Sequence, residues 1–409
     1  MPRSHQELFE AAISDIPRSE ERYAPRVVDA ILALARDSKA SDVHLLPADG
    51  GRSLQMLWRI DGVLHDVYRF DHAVSNIVSR LKVLAQLLTY QSDVPQEGRV
   101  RTDDESVEMR VSTFPTIHGE KAVVRMFIGS GRYRALDDLG LPADVLAEFR
   151  RLLTLTNGAI LVSGPAGSGK TTTLYACLRE IMGGAELARS ICTLEDPVEA
   201  VIPGVSQSQI RESAGFDYAT GLRSLMRQDP EVIMVGEIRD RGTAATVFQA
   251  ALTGQLVLSS FHAGSTSEAV ERLFDLGIEP YLLRSSLMGV LSQRLLRRLC
   301  RCAVSGEGDE DRLGLKVGTF RVSAGCQECH ETGYAGRVLL TEFLDPQTPQ
   351  FGRAIADRAA AQALERAASD AGMATLTRRA CEIVEAGLTS PAEVRRVLGP
   401  ERNSATAGS

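Results

Sequence analysis

The residues from Gly164 to Thr171 read Gly-Pro-Ala-Gly-Ser-Gly-Lys-Thr, a spacing that suits the binding of a phosphate group. The glycines allow backbone N–H groups to curl around a phosphate, and Lys170 adds a positive charge. The hydroxyl group of Thr171 is a suitable ligand for Mg²⁺ beside a nucleotide. An apolar segment precedes the loop and a helical pattern follows it, as this mechanism requires. The predicted nucleotide-binding residues are Gly164, Pro165, Ala166, Gly167, Ser168, Gly169, Lys170, Thr171 and Thr172.

Three further side chains with acid–base chemistry follow apolar segments that are typical of strands. Glu237 lies two residues beyond such a segment, and Gly236, between them, stands where a magnesium-side aspartate is usual. Glu237 could orient or deprotonate a water molecule, and His262 could sense a γ-phosphate. Glu195 closes another strand. The alternatives are a solvated surface acid for Glu237, a helix cap or turn for Glu195 and a structural histidine for His262.

Four of the seven cysteines form two close pairs, Cys300-Arg-Cys302 and Cys326-Gln-Glu-Cys329. Four thiolates can close a tetrahedral site, so the pattern indicates a structural zinc ion. The first pair has a single intervening residue, which constrains its sulfurs more tightly. His330 is a candidate substitute ligand, and a metal-free module with buried cysteines is the alternative. The remaining cysteines are interpreted as small core residues: Cys177, Cys192 and Cys381.

Two different kinds of structure must position these residues. Between residues 24 and 128, helical spacing alternates with period-two strand patterns, which predicts an α+β domain. From residue 139 onward, short apolar strands alternate with helices, which predicts an α/β domain with a parallel sheet buried on both faces. The carboxyl ends of parallel strands share one edge, where ligands bind. The phosphate loop and the acid–base side chains are therefore expected at that edge.

The length of 409 residues exceeds one ordinary core, so two or three domains are expected. Composition shifts and turn signals predict their bounds. The predicted parts are a flexible N-terminus over 1–23, the α+β domain over 24–128, a linker over 129–138, the α/β core over 139–298, a cysteine module over 299–345, a C-terminal helical region over 346–400 and a disordered tail over 401–409.

The composition argues against several classes of protein. A net charge of −7 and a pI of about 5.7 do not favour nucleic acid or an anionic membrane as partner. The first 22 residues are polar and charged, without the apolar segment of a signal peptide. The uncharged stretch 244–267 is long enough to cross a bilayer, but its polar side chains argue against that role. The expected location is the cytoplasm.

Four motifs in chain order resemble those of the ATPases of type II secretion and type IV pilus assembly. They are the phosphate loop GPAGSGKTT, the aspartate box TLEDPVE, an atypical second acidic motif RQDPEVIMVGEIRD and the histidine box TGQLVLSSFH. Upstream, ASDVHLLP, WRIDGVL, PQEGRV and MRVSTFPTIHGEKAVVRMF are similar to the N-terminal domain of that family. The likeness covers roughly residues 24–400.

The resemblance implies a homohexameric ATPase, cytoplasmic and peripheral to the inner membrane through partner proteins. Each subunit would join a PAS-like N-terminal domain to a RecA-like ATPase domain, with ATP between the two. Domain rotation would drive polymerisation of pseudopilin or pilin through an inner-membrane platform protein. The implied cofactors are ATP, Mg²⁺ and a structural Zn²⁺.

The resemblance also adds four arginines to the candidate site. Arg110 and Arg125 are similar to arginines that reach the nucleotide phosphates from the N-terminal domain, and two more precede the second acidic motif. Guanidinium groups stabilise charge on a transferring phosphoryl group. Without the resemblance, each would be interpreted as a surface or ion-pair arginine. The predicted catalytic residues are Glu237, Glu195, His262, Arg110, Arg125, Arg223 and Arg227.

Two departures from the family pattern stand out. Gln255 replaces the histidine that usually begins the histidine box. Only about twenty residues precede the first predicted helix, so recruitment through a preceding docking domain is not expected. Three other functions stay open: a pilus-retraction ATPase, which the cysteine module disfavours; a nucleic-acid translocase, which the acidic pI disfavours; and a nucleotide-regulated scaffold without turnover.

Overall fold

The structure, a computed structural model, describes residues 5–71, 74–100, 107–128, 135–184 and 189–400, except the side chains of 74, 107, 108, 127 and 128. The predicted tail and most of the predicted linker lie outside the described residues. The helices are α1 (His5–Ile13), α2 (Tyr23–Asp37), α3 (Val74–Leu84), α4 (Ala143–Leu153), α5 (Lys170–Gly184), α6 (Tyr218–Leu225), α7 (Arg241–Leu252), α8 (Thr266–Asp275), α9 (Pro280–Ser286), α10 (Gly308–Arg312), α11 (Pro349–Ala356), α12 (Ala361–Asp370), α13 (Leu376–Glu385) and α14 (Pro391–Leu398). The strands are β1 (Asp42–Ala48), β2 (Ser53–Ile60), β3 (Val63–Phe70), β4 (Gln96–Val100), β5 (Val107–Thr116), β6 (Gly119–Ile128), β7 (Gly158–Ser163), β8 (Ile191–Glu195), β9 (Ser206–Gln209), β10 (Val232–Val235), β11 (Leu256–Phe261), β12 (Leu287–Leu299), β13 (Val304–Ser305), β14 (Arg321–Val322) and β15 (Tyr334–Leu344).

The N-terminal part of the chain folds as an α+β unit, as its patterns predict. Its six strands have the order β3-β2-β1-β6-β5-β4 and pair in antiparallel fashion. Leu54, Met56 and Trp58 on β2 are fully buried, because alternate side chains of a strand share one face. Val27 and Ile31 on α2 are also fully buried, as helical spacing predicts.

The first residues differ from the prediction of a flexible N-terminus over 1–23. Residues 5–13 form α1, and the ring of Phe9 is fully buried beside Tyr68 and Phe70. Ile13 is buried one turn further along the same helix. Most of the stability of so short a helix comes from packing of its apolar face, which a local polar composition does not reveal.

A second unit contains a seven-stranded sheet with the order β15-β12-β7-β11-β10-β8-β9. The short apolar segments 159–162, 191–194, 232–235 and 256–258, which the sequence predicts as strands, lie at its centre in β7, β8, β10 and β11. Neighbouring strands among these four pair in parallel. Their side chains are buried, as expected for a sheet covered on both faces. The α/β fold class is therefore confirmed. The strands β12 and β15 extend this sheet and were not predicted.

The cysteine segment is not a separate module over 299–345. The chain divides into two compact units, and Cys300–Cys302 and Ser323–Gly336 belong with the N-terminal unit. Residues 303–322 and 337–400, including most of β15, belong with the second unit. The predicted C-terminal helical region also belongs there, because Phe351, Ile355 and Leu364 join its hydrophobic core. Burial of separate segments in two cores, rather than sequence continuity, sets these bounds.

Among the described residues, no helix combines the length and the apolar composition needed to cross a bilayer. The uncharged stretch 244–267 consists instead of most of α7, a turn, β11 and the start of α8.

Candidate active site

The phosphate loop lies between β7 and α5, as its sequence predicts, and Lys170 is the first residue of the helix. Gly164 has a φ of 151°, a value that L side chains rarely adopt. A Cβ atom at this position would lie 2.5 Å from the carbonyl oxygen of Gln293 and 2.6 Å from Oγ of Ser168. The backbone approach of β12 to the loop therefore requires glycine here.

The ammonium group of Lys170 donates to the carbonyl oxygens of Gly164 (2.9 Å) and Pro165 (3.0 Å). Burial lowers the pKa of this lysine, and the negative charge of Glu237 opposes that shift. The positive charge of Arg294 lowers the pKa further. The lysine therefore shares an electrostatic environment with Glu237, as expected when both residues follow the carboxyl ends of parallel strands.

Glu237 and His262 come together in this structure. Nε2 of His262 lies 2.9 Å from Oε1 of Glu237. Nε of Arg239 donates to the other carboxylate oxygen at 2.8 Å, and Nη1 of Arg239 lies 3.7 Å from Asp196. Arg239 was not among the predicted site residues. Its place two residues after Glu237 in the acidic motif was the signal that could have identified it.

Gly236, which replaces the usual aspartate, has no space for a side chain. A Cβ atom there would lie 2.9 Å from the hydroxyl oxygen of Tyr218 and 3.2 Å from the carbonyl oxygen of Leu194. Burial raises the pKa of Tyr218 above its usual range, and the nearby carboxylate of Asp196 adds to the shift. The first carboxylate after β10 is consequently that of Glu237.

Glu195 is buried at the end of β8 within a network of three donors. The hydroxyl of Tyr175 donates to Oε2 at 2.5 Å, and the hydroxyl of Thr193 donates to Oε1 at 2.6 Å. Nε2 of Gln207 donates to the same Oε1 at 3.0 Å. These bonds fix the orientation of the carboxylate, and neither of the two alternatives, a helix cap or a turn, describes it. Its catalytic role stays a prediction.

The arginines fall into two pairs. Arg110 and Arg125 are direct neighbours across β5 and β6, and Nε of Arg125 donates to Asp42 at 2.9 Å. Like charges directly opposite each other in a sheet are unfavourable, and the carboxylate of Asp42 offsets part of this repulsion at Arg125. Arg223 lies on α6, and Arg227 follows it, with one guanidinium nitrogen donating to the carbonyl oxygen of Arg223 at 3.1 Å. Both side chains are exposed.

Gln255, the departure in the histidine box, lies just before β11. His262 follows the other end of that strand, so the two residues are on opposite edges of the sheet. Oε1 of Gln255 accepts a hydrogen bond from the hydroxyl of Thr253 at 3.0 Å. The substitution therefore lies away from the edge that carries Glu237.

The four predicted zinc ligands form a cluster within the N-terminal unit. The sulfur of Cys300 lies 3.9 Å from that of Cys326, and Cys302 lies 3.8 Å from Cys329. All four sulfur atoms lie within 4.8 Å of one another. Zn–S bonds of about 2.3 Å in a tetrahedron place the sulfurs about 3.8 Å apart. The donor set therefore fits zinc, despite the short first pair.

The loop around the cluster supplies further order. The N–H groups of Cys326 and Gly333 each donate to the sulfur of Cys329 at 3.2 Å. The ring of His330 stacks on His5 at 3.8 Å between centroids, and His330 is not among the clustered ligands. Of the remaining cysteines, Cys177 and Cys192 are buried, as predicted, and Cys381 is partly buried.

Comparisons with known proteins show the family to which the chain belongs. The profile of the family described as type II/IV secretion system protein matches residues 18–396. The type II secretion system ATPase E of Vibrio cholerae is 39% identical over 409 residues, which cover 95% of this chain and 79% of that protein. The type IV pilus assembly ATPase TfpB of Acinetobacter baylyi is 36% identical over 406 residues, which cover 96% of this chain and 68% of that protein.

A solved structure shows the same fold. The ATPase DotB of Legionella pneumophila aligns with a TM-score of 0.68 at 18% identity, covering 94% of this chain and 98% of that one. The family profile spans most of the chain, and the curated relatives exceed 35% identity over more than nine tenths of it. The chain therefore belongs to the type II/IV secretion system protein family, whose relatives include ATPases of type II secretion and of type IV pilus assembly.

Proposed function

We propose that this protein hydrolyses ATP and couples the reaction to assembly of a pseudopilus or type IV pilus. The observation that carries the proposal is the meeting of Glu237 and His262, 2.9 Å apart, in the electrostatic environment of Lys170. A phosphate loop binds a nucleotide, and hydrolysis also needs a group that orients or deprotonates water. The names of the relatives in type II secretion and pilus assembly supply the context.

In this proposal Lys170 leaves the two loop carbonyls and binds the phosphates of ATP. Mg²⁺, held by the hydroxyl of Thr171, would neutralise charge on the β- and γ-phosphates. Glu237 orients the attacking water and accepts its proton, while Arg239 and His262 hold the carboxylate in place. His262, at the end of the neighbouring strand, is proposed to sense whether a γ-phosphate is present. Its contact with Glu237 would connect that signal to the catalytic carboxylate. Glu195 is proposed as a fixed acid at the same sheet edge.

Arginines complete the proposed site. Arg110 and Arg125, adjacent across two strands, are proposed to bind phosphate oxygens, as are Arg223 and Arg227. Two neighbouring guanidinium groups can bind one anion together, because each can donate charge-assisted hydrogen bonds to it. Arg125→Ala is expected to lower kcat/KM for ATP about tenfold or more. The Arg125→Lys variant is the matched control, and activity equal to wild type in both would remove this arginine from the mechanism.

The proposed active form is a homohexamer in the cytoplasm, bound to the inner membrane through a platform protein. No nucleic acid is proposed as partner, because the net charge is −7. The cysteine cluster favours assembly over retraction, since retraction relatives generally lack such a module. We propose that the cluster binds one structural zinc ion. Such an ion would hold the two cysteine segments together and would have no open position for chemistry.

The proposed function is tested by an ATPase assay of the purified protein and by deletion of its gene. Purified full-length protein is expected to hydrolyse ATP with Mg²⁺, and Lys170→Ala protein is expected to bind and hydrolyse ATP poorly. In the source organism, deletion of the gene is expected to abolish secretion or piliation, restored by wild type and not by Lys170→Ala. Retained fibres that fail to shorten would identify a retraction ATPase. Stimulation of hydrolysis by single-stranded DNA would identify a translocase, and nucleotide binding without turnover would identify a scaffold.

A further inference from the structure

Gln293 is a fully buried residue on β12, and both ends of its side-chain amide bind the phosphate loop and its helix. Nε2 donates to the carbonyl oxygen of Ser168 at 2.7 Å. Oε1 accepts a hydrogen bond from the hydroxyl of Thr173 at 2.9 Å. Thr173 lies in the first turn of α5, so a single side chain holds the loop and the start of the helix together.

The bond to Ser168 fixes the orientation of one peptide plane in the loop. In a trans peptide, the C=O of one residue and the N–H of the next point in opposite directions. Because Gln293 binds the oxygen of Ser168, the N–H of Gly169 is directed away from Gln293. Backbone N–H groups of such loops are the donors that bind phosphate. The amide of Gln293 therefore sets the direction of the Gly169 N–H, a candidate donor to a phosphate.

The next residue extends the contact to the loop that carries His262. Arg294 is 9% exposed, and its guanidinium group donates to the carbonyl oxygen of Gly264 at 2.5 Å. It also donates to the carbonyl oxygen of Gln293 at 3.1 Å. Two successive residues of β12 thus hold the phosphate loop and the segment that follows His262.

We propose that Gln293 and Arg294, here called the β12 brace, position the phosphate loop against the histidine loop for hydrolysis. Gln293 is the positioning residue, since it acts through Ser168 and Thr173. The inference rests on the ATPase function proposed above. Without the side-chain amide of Gln293, the N–H of Gly169 would no longer be held in this direction. Its hydrogen bond to a charged phosphate would then weaken. Nucleotide affinity and kcat/KM are then expected to fall roughly tenfold or more.

The experiment compares two buried neighbours on β12 in the full-length protein. Gln293→Leu removes both amide bonds at similar volume. Ser292→Ala is the matched control, because Ser292 is fully buried and its hydroxyl has no hydrogen-bond partner among the described residues. The measurements are the Kd of a fluorescent ADP analogue, and kcat and KM for ATP. Gln293→Leu is expected to raise the Kd and lower kcat/KM roughly tenfold, while Ser292→Ala stays near wild type.

The kinetic pattern separates positioning from general damage. A merely structural weakening lowers the melting temperature and the active fraction, and leaves the KM and the ADP affinity of the active fraction unchanged. The proposal requires both the KM for ATP and the ADP affinity of the active fraction to change. Thr173→Val removes the partner of Oε1, and Thr173→Ser retains it, so the serine variant is expected to restore most of the affinity. The double variant Gln293→Leu/Thr173→Val is expected to lose little more than Gln293→Leu alone.

Wild-type affinity and turnover in Gln293→Leu would overturn the proposal and leave the ATPase function intact. If that variant does not fold, equal ADP affinity in the Val and Ser variants of Thr173 would overturn it. Absence of hydrolysis by the wild-type protein would instead overturn the proposed function, while the ADP-binding measurements would still test the brace.

Discussion

Nε2 of His262 lies 2.9 Å from Oε1 of Glu237, and this contact joins the ends of two neighbouring parallel strands. Arg239 donates to the second oxygen of the same carboxylate at 2.8 Å. The glutamate side chain is 16% exposed, so solvent screens these contacts only in part. The carboxylate is therefore held in one orientation at the sheet edge where the phosphate loop also begins.

Glu237→Gln tests the chemistry of this carboxylate. The amide keeps an acceptor oxygen but cannot take a proton from water, so hydrolysis is expected to fall by on the order of a hundredfold or more. ATP binding is expected to persist, because Lys170 and the loop are unchanged. The measurements are the steady-state rate of phosphate release and the Kd of ATP. Lys170→Ala is the contrasting variant, with weakened binding. Near-normal turnover by folded Glu237→Gln protein would remove this residue from the mechanism.

Gly236→Ala tests why an aspartate is absent after β10. The new methyl group would meet the hydroxyl oxygen of Tyr218 at 2.9 Å, and the backbone of Leu194 lies just beyond. We expect a loss of roughly 1–3 kcal/mol in the free energy of unfolding and reduced hydrolysis. Adding Tyr218→Phe removes the closest atom and is expected to restore part of the stability. Thermal unfolding of the single and double variants measures this. A neutral Gly236→Ala substitution would contradict the steric explanation.

The zinc proposal is tested by elemental analysis of protein purified without added metal. We expect about one zinc per chain, lost in Cys326→Ser. His330→Ala is the control, because the histidine stacks on His5 and lies outside the clustered sulfurs. This variant is expected to retain the metal. Loss of zinc in His330→Ala would show that the histidine is a ligand, and a folded, active, metal-free wild-type protein would exclude the site.

His5 provides a pH-dependent contribution to stability. Burial, followed by the charges of His330 and His65, lowers its pKa from 6.5 to about 4. Between these values the unfolded chain binds more protons, so stability rises with pH over this range and is lost as the pH falls from 6.5 towards 4. The expected contribution is on the order of 1–3 kcal/mol. Melting temperatures of wild type and His5→Phe from pH 4.5 to pH 7 measure it. Parallel profiles of the two proteins would contradict this assignment.

Much of the fold followed from local patterns. The period-two patterns between residues 24 and 128 predict strands with one buried face, and Leu54, Met56 and Trp58 are buried at alternate positions of β2. The central parallel strands were recognised because their apolar runs are short and bounded by helical segments. The helix α1 was not predicted, because Phe9 gains its burial from the rings of Tyr68 and Phe70, about sixty residues further along the chain.

The chemistry of the candidate site can be predicted from the sequence, because the phosphate loop, Glu237, His262 and the cysteine pairs occur in short contiguous motifs. Backbone N–H groups, a lysine and a following strand suffice to predict a nucleotide site from such a motif. Which residues hold that site in place becomes visible only in the folded structure. Gln293 binds Ser168 across 125 positions of sequence, and Arg294 binds Gly264 across 30. Local sequence patterns cannot predict such pairs, because a buried hydrogen bond forms only where two segments distant in sequence meet in the fold.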